Sequence, residues 1–569
     1  MAAKSLISKT TQKLLAFRSI SLISSREQSV WTPDKVVKSP HKDVDIPNRT
    51  VPEQIWENME RWVDRTAIEC AITKQSYTYH QIYKYSRNVA AKLRTQLKIR
   101  DGDLICIMMP NAPDFAVAAL GALEAGAEVT TVNPIYTAHE VQRQITLSDP
   151  KVIIGVPETI PVLREALAIA KKDLPIIAIK GVDGLLPPGT ISFHEFALAD
   201  NVDHSVLKEV RRKSEDGAFL PYSSGTTGLP KGVELVHRNI VVNFLQQNVD
   251  TLRHYDETTK TNQSVALAVL PFYHIYGLSI VLLHKLSVGM KVVTLPKFQP
   301  TSFIDALKEH KTNVLCAAPP LILFLGSHPG VTNEHLASIK TITSGSAPVP
   351  RVDVFSVLDK VKHKLNFLQV YGLTETAPLA TAMLPGSEKY STAGYAISNT
   401  ELRIVDSAMN PLGPKEVGEL LIRGPQVMKG YRNNPEATKK CMTEDGWFQT
   451  GDLASIDTDG TVTIADRLKE LIKVKGYQVP PAELENVLKE HPDVLDAAVI
   501  GVPDARMGEA PKAFIVLREG HKADANSITT FVSKRVAEYK RIKEVRFVNE
   551  LPKNPSGKIL RRVLRELKE

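Results

Sequence analysis

The chain has 569 residues, 43% hydrophobic and 24% charged, long enough for roughly three to four domains at about 150 residues each. That balance excludes disordered, collagen-like and coiled-coil classes, and no apolar run approaches the ~18 residues of a membrane-spanning helix. Lys and Arg total 71 against 63 Asp and Glu, a net charge of +8. This mild excess, without basic blocks interleaved with aromatics, speaks against nucleic-acid binding and suits polyanionic small molecules.

The first 26 residues carry Lys4, Lys9, Lys13, Arg18 and Arg26, six serines and no acid before Glu27. Apolar residues from Leu6 to Ile20 recur at roughly helical spacing. Two readings stand: an organelle transit peptide, or a basic frayed terminus. The expected compartment is the mitochondrion or the cytoplasm, since the chain ends without an SKL-type address. Cys70, Cys106, Cys316 and Cys441 lie far apart with no CxxC pair, which fits buried, inert thiols.

From about residue 50 to 465, short β-branched runs alternate with helical patterns. Leu104–Met109 precedes Ala116–Leu123, Val152–Val156 precedes Val162–Lys171, Ser264–Leu270 precedes Gly277–Leu286, and Val314–Ala318 precedes Leu321–Leu325. The alternation predicts α/β layers on largely parallel sheets. Near Ile404 the pattern changes to short strands separated by turns such as Asn410-Pro-Leu-Gly413, an antiparallel β module. After Asp466 a smaller α+β unit is predicted, with strands at 471–474, 494–502 and 512–516 and helices at 481–489 and 528–535. The expected division is a basic terminus over 1–29, a large domain over 30–465 and a small lid domain over 466–569.

Chemistry concentrates in Pro221-Tyr-Ser-Ser-Gly-Thr-Thr-Gly-Leu-Pro-Lys231. Its glycines let consecutive N–H groups surround phosphate oxygens, its hydroxyls add donors, and Lys231 adds a cation. The GxxxxGK spacing of a Walker A loop fails, because Pro230 stands where the second Gly is required. GxGxxG and HExxH are absent.

Eight further motifs follow in order: Pro271-Phe-Tyr-His274, Ser344-Gly-Ser-Ala-Pro348, Tyr371-Gly-Leu-Thr-Glu375, Gly418-Glu-Leu-Leu-Ile-Arg-Gly424, Thr450-Gly-Asp452, Asp466-Arg-Leu-Lys-Glu470, Lys473-Val-Lys-Gly-Tyr-Gln478 and Pro555-Ser-Gly-Lys558. With the loop, they make the chain resemble the adenylate-forming acyl-CoA synthetases over roughly residues 30–569, closest to plant 4-coumarate–CoA ligases and their relatives. The resemblance implies ATP, Mg²⁺ and coenzyme A as cofactor and co-substrates, a small carboxylic acid as substrate, and a monomer or weak dimer. It implies phosphate contacts from Ser223, Ser224, Gly225, Thr226, Thr227 and Lys231, and a magnesium ligand at Glu375. Ribose contacts fall on Asp452 and Arg467. Gly345, Ser346, Ala347, Gln369, Val370, Tyr371, Gly372 and Thr374 fall around the adenine and acyl pocket, and Lys469 completes the nucleotide set. Lys558 is implied as the adenylation lysine and His274 as the residue that orients the carboxylate. Lys473 and Gln478 are implied for thioester formation, and Lys297, Lys475 and Gly476 for CoA. Asp466 falls at the hinge between the two domains.

Tyr276, Ile280 and Val370 are the expected acyl-pocket residues, and two of them depart from the hydroxycinnamate ligases. Val370 replaces their usual Gly and Ile280 a small polar residue; Leu421 replaces the Cys of their signature box. The added volume predicts a shortened, dry pocket with no group to satisfy a phenol, whose unpaired hydroxyl costs about 1–3 kcal/mol. Cinnamate, benzoate or a short to medium aliphatic acid is therefore expected over 4-coumarate. The rival readings are a 4-coumarate–CoA ligase proper, a luciferase-type adenylating oxygenase, and a catalytically dead nucleotide-binding protein.

Overall fold

The computed structural model describes residues 30–567, apart from 181–183, 224–229, 475–476, 505 and 555–556. The basic N-terminal segment thus lies outside the described residues. Within them the chain forms four sheets. The predicted α/β class holds, with a large N-terminal and a small C-terminal domain.

Two nine-stranded sheets make up most of the large domain. In one, Leu104–Met108, Glu128–Thr131, Val152–Gly155 and Ile176–Ala178 run parallel. In the other, Val265–Ala268, Val314–Ala317, Thr341–Ser344 and Asn366–Gly372 run parallel. Strands Leu104–Met108 and Val314–Ala317 are buried at every position, which is why they read as continuous apolar runs rather than alternating ones. The helix Pro113–Glu124 is buried from Pro113 through Leu123 and belongs to one core cluster with strand residues of both sheets. Gly121 is needed there, because a Cβ would lie 2.9 Å from Ser86 O and Val89 Cβ on the helix Tyr79–Thr95.

The five-stranded antiparallel sheet contains Glu401–Val405, Gly418–Arg423, Phe448–Ile456 and Val462–Arg467. The fourth sheet joins Ile472–Val474, Tyr477–Val479, Gly508–Leu517 and Val494–Asp504, with Glu544–Phe547 beside the Gly508–Leu517 strand. From Ile472 onward the buried apolar residues cluster only with one another, so the small domain carries its own core.

Two elements differ from the sequence expectation. The helix expected over 277–286 is a π-helix, Tyr276–Leu283, continued by a short α-helix, His284–Ser287. Periodicity cannot distinguish these, because the segment is apolar on every side. The helix expected at 528–535 runs Ala525–Ser533, started by the Asp524 carboxylate, which accepts from Ser527 N.

Candidate active site

Asn111, just beyond the strand Leu104–Met108, ties the two large sheets together. Its amide donates to Ala268 O and Leu270 O and its carbonyl accepts from Phe272 N at 2.7 Å. This clamp fixes the turn carrying Phe272, Tyr273 and His274; Phe272 packs against Phe115, and Thr131 Oγ1 donates to Tyr273 O. His274 Nδ1 accepts from Tyr276 N at 3.3 Å, which leaves the proton on Nε2. Burial lowers the ring to about 4, so it is neutral near pH 7.

The π-helix carries the chain from His274 into a partly open apolar cleft. Tyr276, Ile280, Thr343, Leu368, Val370 and Met383 are among its walls. Gly345 stands at one end, where a Cβ would lie 3.0 Å from Val370 Cγ2 and 3.4 Å from Tyr276 Cε1. The three expected acyl-pocket residues are thereby brought together. The fold adds residues that sequence reasoning missed, chief among them Gln247, Leu252 and His254 from the helix His237–Gln247 and the loop beyond it. No motif marked that loop, so the cleft is less dry than expected.

Asp452 is buried on the strand Phe448–Ile456, between Gly418–Arg423 and the edge strand Val462–Arg467, and its backbone is paired with Arg467. Its Oδ2 accepts from Tyr371 OH at 2.7 Å, and its Oδ1 lies 3.2 Å from Arg467 Nε. Lys558 enters this group from the small domain. Burial and the Arg467 charge pull it down to about 8, while Asp452 and Glu470 oppose the shift. Gly557, at φ +82, brings that loop onto the large domain: a Cβ there would stand 2.6 Å from Pro320 Cδ.

A second cluster forms where the phosphate loop begins and ends. Ser223 and Lys231 face each other across an antiparallel pair. Lys231 Nζ sits 4.8 Å from the Tyr431 ring centroid, and Tyr431 OH donates to Glu375 Oε1 at 2.8 Å. Ser223 Oγ and Ser344 Oγ are buried with no partner among the described residues. The orphaned Ser223 hydroxyl, across from Lys231 and near the buried Glu375 carboxylate, fits phosphate oxygens and a Mg²⁺ held by Glu375, phosphates and water. Ser224, Gly225, Thr226, Thr227, Lys475 and Gly476 lie outside the described residues.

Other expected contacts divide. Gly372 and Thr374 lead directly to Glu375, and Ser346 is exposed with φ +77 beside Gly345. The Gln369 side chain is not available to a ligand. It accepts from Val349 N and donates to Val349 O and Tyr390 O, because Leu368 and Val370 line the cleft and the residue between them faces the other side. Lys297, Lys469 and Lys473 are exposed. Lys473 pairs through its backbone with Gln478 on the small domain's sheet, so Lys558 and not Lys473 occupies the site in this arrangement. At the expected hinge, Asp466 accepts from Arg467 N and from Ala482 N in the first turn of the helix Pro481–Lys489. Burial pushes its carboxyl up to about 6.

Comparisons with known proteins agree with this architecture. The AMP-binding enzyme model matches residues 55–432 and the AMP-binding enzyme C-terminal domain model matches residues 483–558. The chain is 40% identical over 537 residues to 4-coumarate–CoA ligase 3 of Oryza sativa subsp. japonica, covering 93% of this chain and 94% of that one. ATP-bound MatB from Rhodopseudomonas palustris superposes with a TM-score of 0.81 at 28% identity, over 91% of this chain and 99% of that one. A benzoate CoA ligase from Burkholderia xenovorans superposes at 0.79 and 25% identity, over 91% and 100%. The chain belongs to the AMP-binding enzyme family, among its adenylate-forming acyl- and aryl-CoA ligases, enzymes that use ATP, Mg²⁺ and CoA.

Proposed function

We propose that this protein joins a small acid with an apolar body to coenzyme A through an acyl-adenylate, and that cinnamate, benzoate or a short to medium aliphatic acid is preferred over 4-coumarate. The observation that carries the reading is the Asp452–Arg467 pair with the small domain's Lys558 close enough to feel both charges, with the apolar cleft opening behind Gly345. Val370 and Ile280 on its walls support the limit on length.

A carboxylate is a poor acyl donor because its leaving group would be oxide. Its oxygen instead attacks the α-phosphorus of ATP, and the bond to pyrophosphate breaks. Lys558 bridges the two approaching anions and offsets their repulsion. Neutral His274 donates from Nε2 toward the carboxylate, and Asp452 accepts from the ribose hydroxyls. Ser223, Lys231 and Glu375 would hold the pyrophosphate end and its Mg²⁺, which supplies charge neutralisation there. The CoA thiol then attacks the acyl carbonyl, and the bond to AMP breaks. Rotation about Asp466 would exchange Lys558 for the strand carrying Lys473 between the two steps. A screen of carboxylic acids for CoA-dependent AMP release tests the reading. AMP and thioester in equal amounts are expected with acids smaller than 4-coumarate; oxygen uptake, or no release with any acid, overturns it.

A further inference from the structure

One polar side chain on the cleft wall has no role in the chemistry above. His254 lines the cleft, yet its Nε2 is buried with no hydrogen-bond partner among the described residues. A buried orphan nitrogen in a native fold calls for an explanation. Its state is fixed by its neighbours. Nδ1 lies 3.2 Å from Leu252 O, so Nδ1 carries the proton and Nε2 presents a lone pair. Burial, and behind it the Lys285 charge, lower the ring to about 3, so it stays neutral. Lys285 is itself fully buried with no carboxylate within ion-pair distance among the described residues. Its Nζ donates to His284 Nδ1 at 3.2 Å and lies 5.4 Å from the Tyr255 ring centroid. This lysine opposes protonation of His254 and keeps its ring an acceptor rather than a cation.

The position of His254 follows from the strand beside it. Thr341 Oγ1 donates to His254 O at 3.1 Å, whereas Gly345 marks the opposite end of the same stretch, beyond Ser344. At about 3.3 Å per residue those two points are roughly 13 Å apart. Thr343 lines the cleft between them, as do Leu368 and Val370 on the adjoining strand. Val370, beside Gly345, precedes Tyr371, whose hydroxyl donates to Asp452, so the Gly345 end lies toward the proposed nucleotide group and His254 toward the remote end.

We propose that His254 is a specificity-determining residue whose Nε2 accepts a hydrogen bond from a hydroxyl or amino group at the far end of the acid. Among the acids proposed above, those with a terminal donor are then favoured, such as a ring-hydroxylated or ring-amino benzoate or an ω-hydroxy aliphatic acid, while 4-coumarate exceeds the size that the cleft walls at Val370 and Ile280 allow. The inference rests on the cleft being the acyl pocket of a carboxylate–CoA ligase. Val370 and Ile280 limit the size of the acid; His254 reads the atom at its far end.

Isosteric pairs test it: 4-hydroxybenzoate against 4-methylbenzoate, and 5-hydroxypentanoate against hexanoate, compared by kcat/KM for thioester formation. Wild type is expected to favour the hydroxyl member by about tenfold or more, since a site built for a hydrogen bond discriminates against the analogue lacking it. His254→Leu should bring that ratio to one or below it, and His254→Gln, which keeps an acceptor, should retain part of it. Reading both acids on the same protein cancels any loss of folded enzyme, and the wild-type ratio with His254→Gln decides if His254→Leu does not fold. A wild type that favours the methyl member, or a ratio unmoved in either variant, overturns the role of His254. No thioester with any acid overturns the ligase reading instead.

Discussion

In the proposed mechanism, Lys558 is the residue on which the two half-reactions part. Its ammonium is half deprotonated near pH 8 in this arrangement. A lysine whose pKa is lowered in the fold keeps its charge below that value and loses it above, so pyrophosphate exchange should fall as pH rises through about 8, measured by isotope exchange at saturating ATP. Lys558→Ala should lower exchange by about 10²–10³, the usual effect of removing one positioned group that stabilises developing charge. It should leave thioester formation from supplied acyl-adenylate in place; equal loss in both steps would make the residue structural. Val370 governs a different quantity. Its Cγ2 closes the cleft opposite Gly345, and Val370→Gly removes three carbons from that wall. The kcat/KM ratio of 4-coumarate to benzoate should rise by about tenfold to 200-fold, as for one or two methylenes in an apolar pocket. A ratio that stays put would remove Val370 from the pocket floor. Apart from the family resemblance, neither residue could be assigned from its local sequence: a lysine in Pro-Ser-Gly-Lys reads as an exposed turn, and a valine in a strand reads as core.

Among the elements, the π-helix Tyr276–Leu283 does most to shape the apolar cleft. Its wider winding puts Tyr276 and Ile280 on the cleft while Ser279 Oγ donates to Ala377 O. The winding depends on Gly277, where a Cβ would stand 2.1 Å from Pro271 O and 2.6 Å from Pro271 C. Backbone cannot yield as a side-chain tip can. Gly277→Ala should therefore cost about 1–3 kcal/mol as overpacking does, read as a lower denaturant midpoint at constant m. It should also raise KM for the acid, because His274 is anchored in the same turn. An unchanged midpoint would show that the turn relaxes freely. The sequence of this element gave its apolar character and its glycine but not its winding, because eight buried residues in a row carry no periodic signal. The same uniform burial hid the next turn, where His284 and Lys285 point inward among apolar neighbours.

Over the whole molecule, the small domain holds Lys558 against the large one and leaves Lys473 exposed on its own sheet. If one domain serves both steps by turning about Asp466, the two lysines must fail in opposite ways. Lys473→Ala should keep pyrophosphate exchange and lose CoA transfer, followed as acyl-AMP accumulation and missing thioester. Lost exchange with intact transfer would invert the assignment of the two faces. The separate cores on either side of Asp466 make such a rotation physically cheap, since it unpacks no shared apolar cluster.

The sequence by itself determined the α/β layering, the antiparallel module, the small α+β unit and the order of the nine motifs, because each of these is written in local periodicity, turn residues or short contiguous strings. It also named Asp452, Glu375, His274 and Lys558 through those strings. Only the tertiary structure decided which of these residues meet. Tyr371 reaches Asp452 across 81 positions, Tyr431 reaches Glu375 across 56, and Gln369 turns away from the cleft although it stands in the same string as Tyr371. His254 is the clearest case: it belongs to no motif, and its loop becomes a cleft wall because Thr341, 87 positions later, holds its carbonyl. Contacts of that separation are set by how sheets and helices pack, and packing leaves no mark in the residues next to one another in the chain.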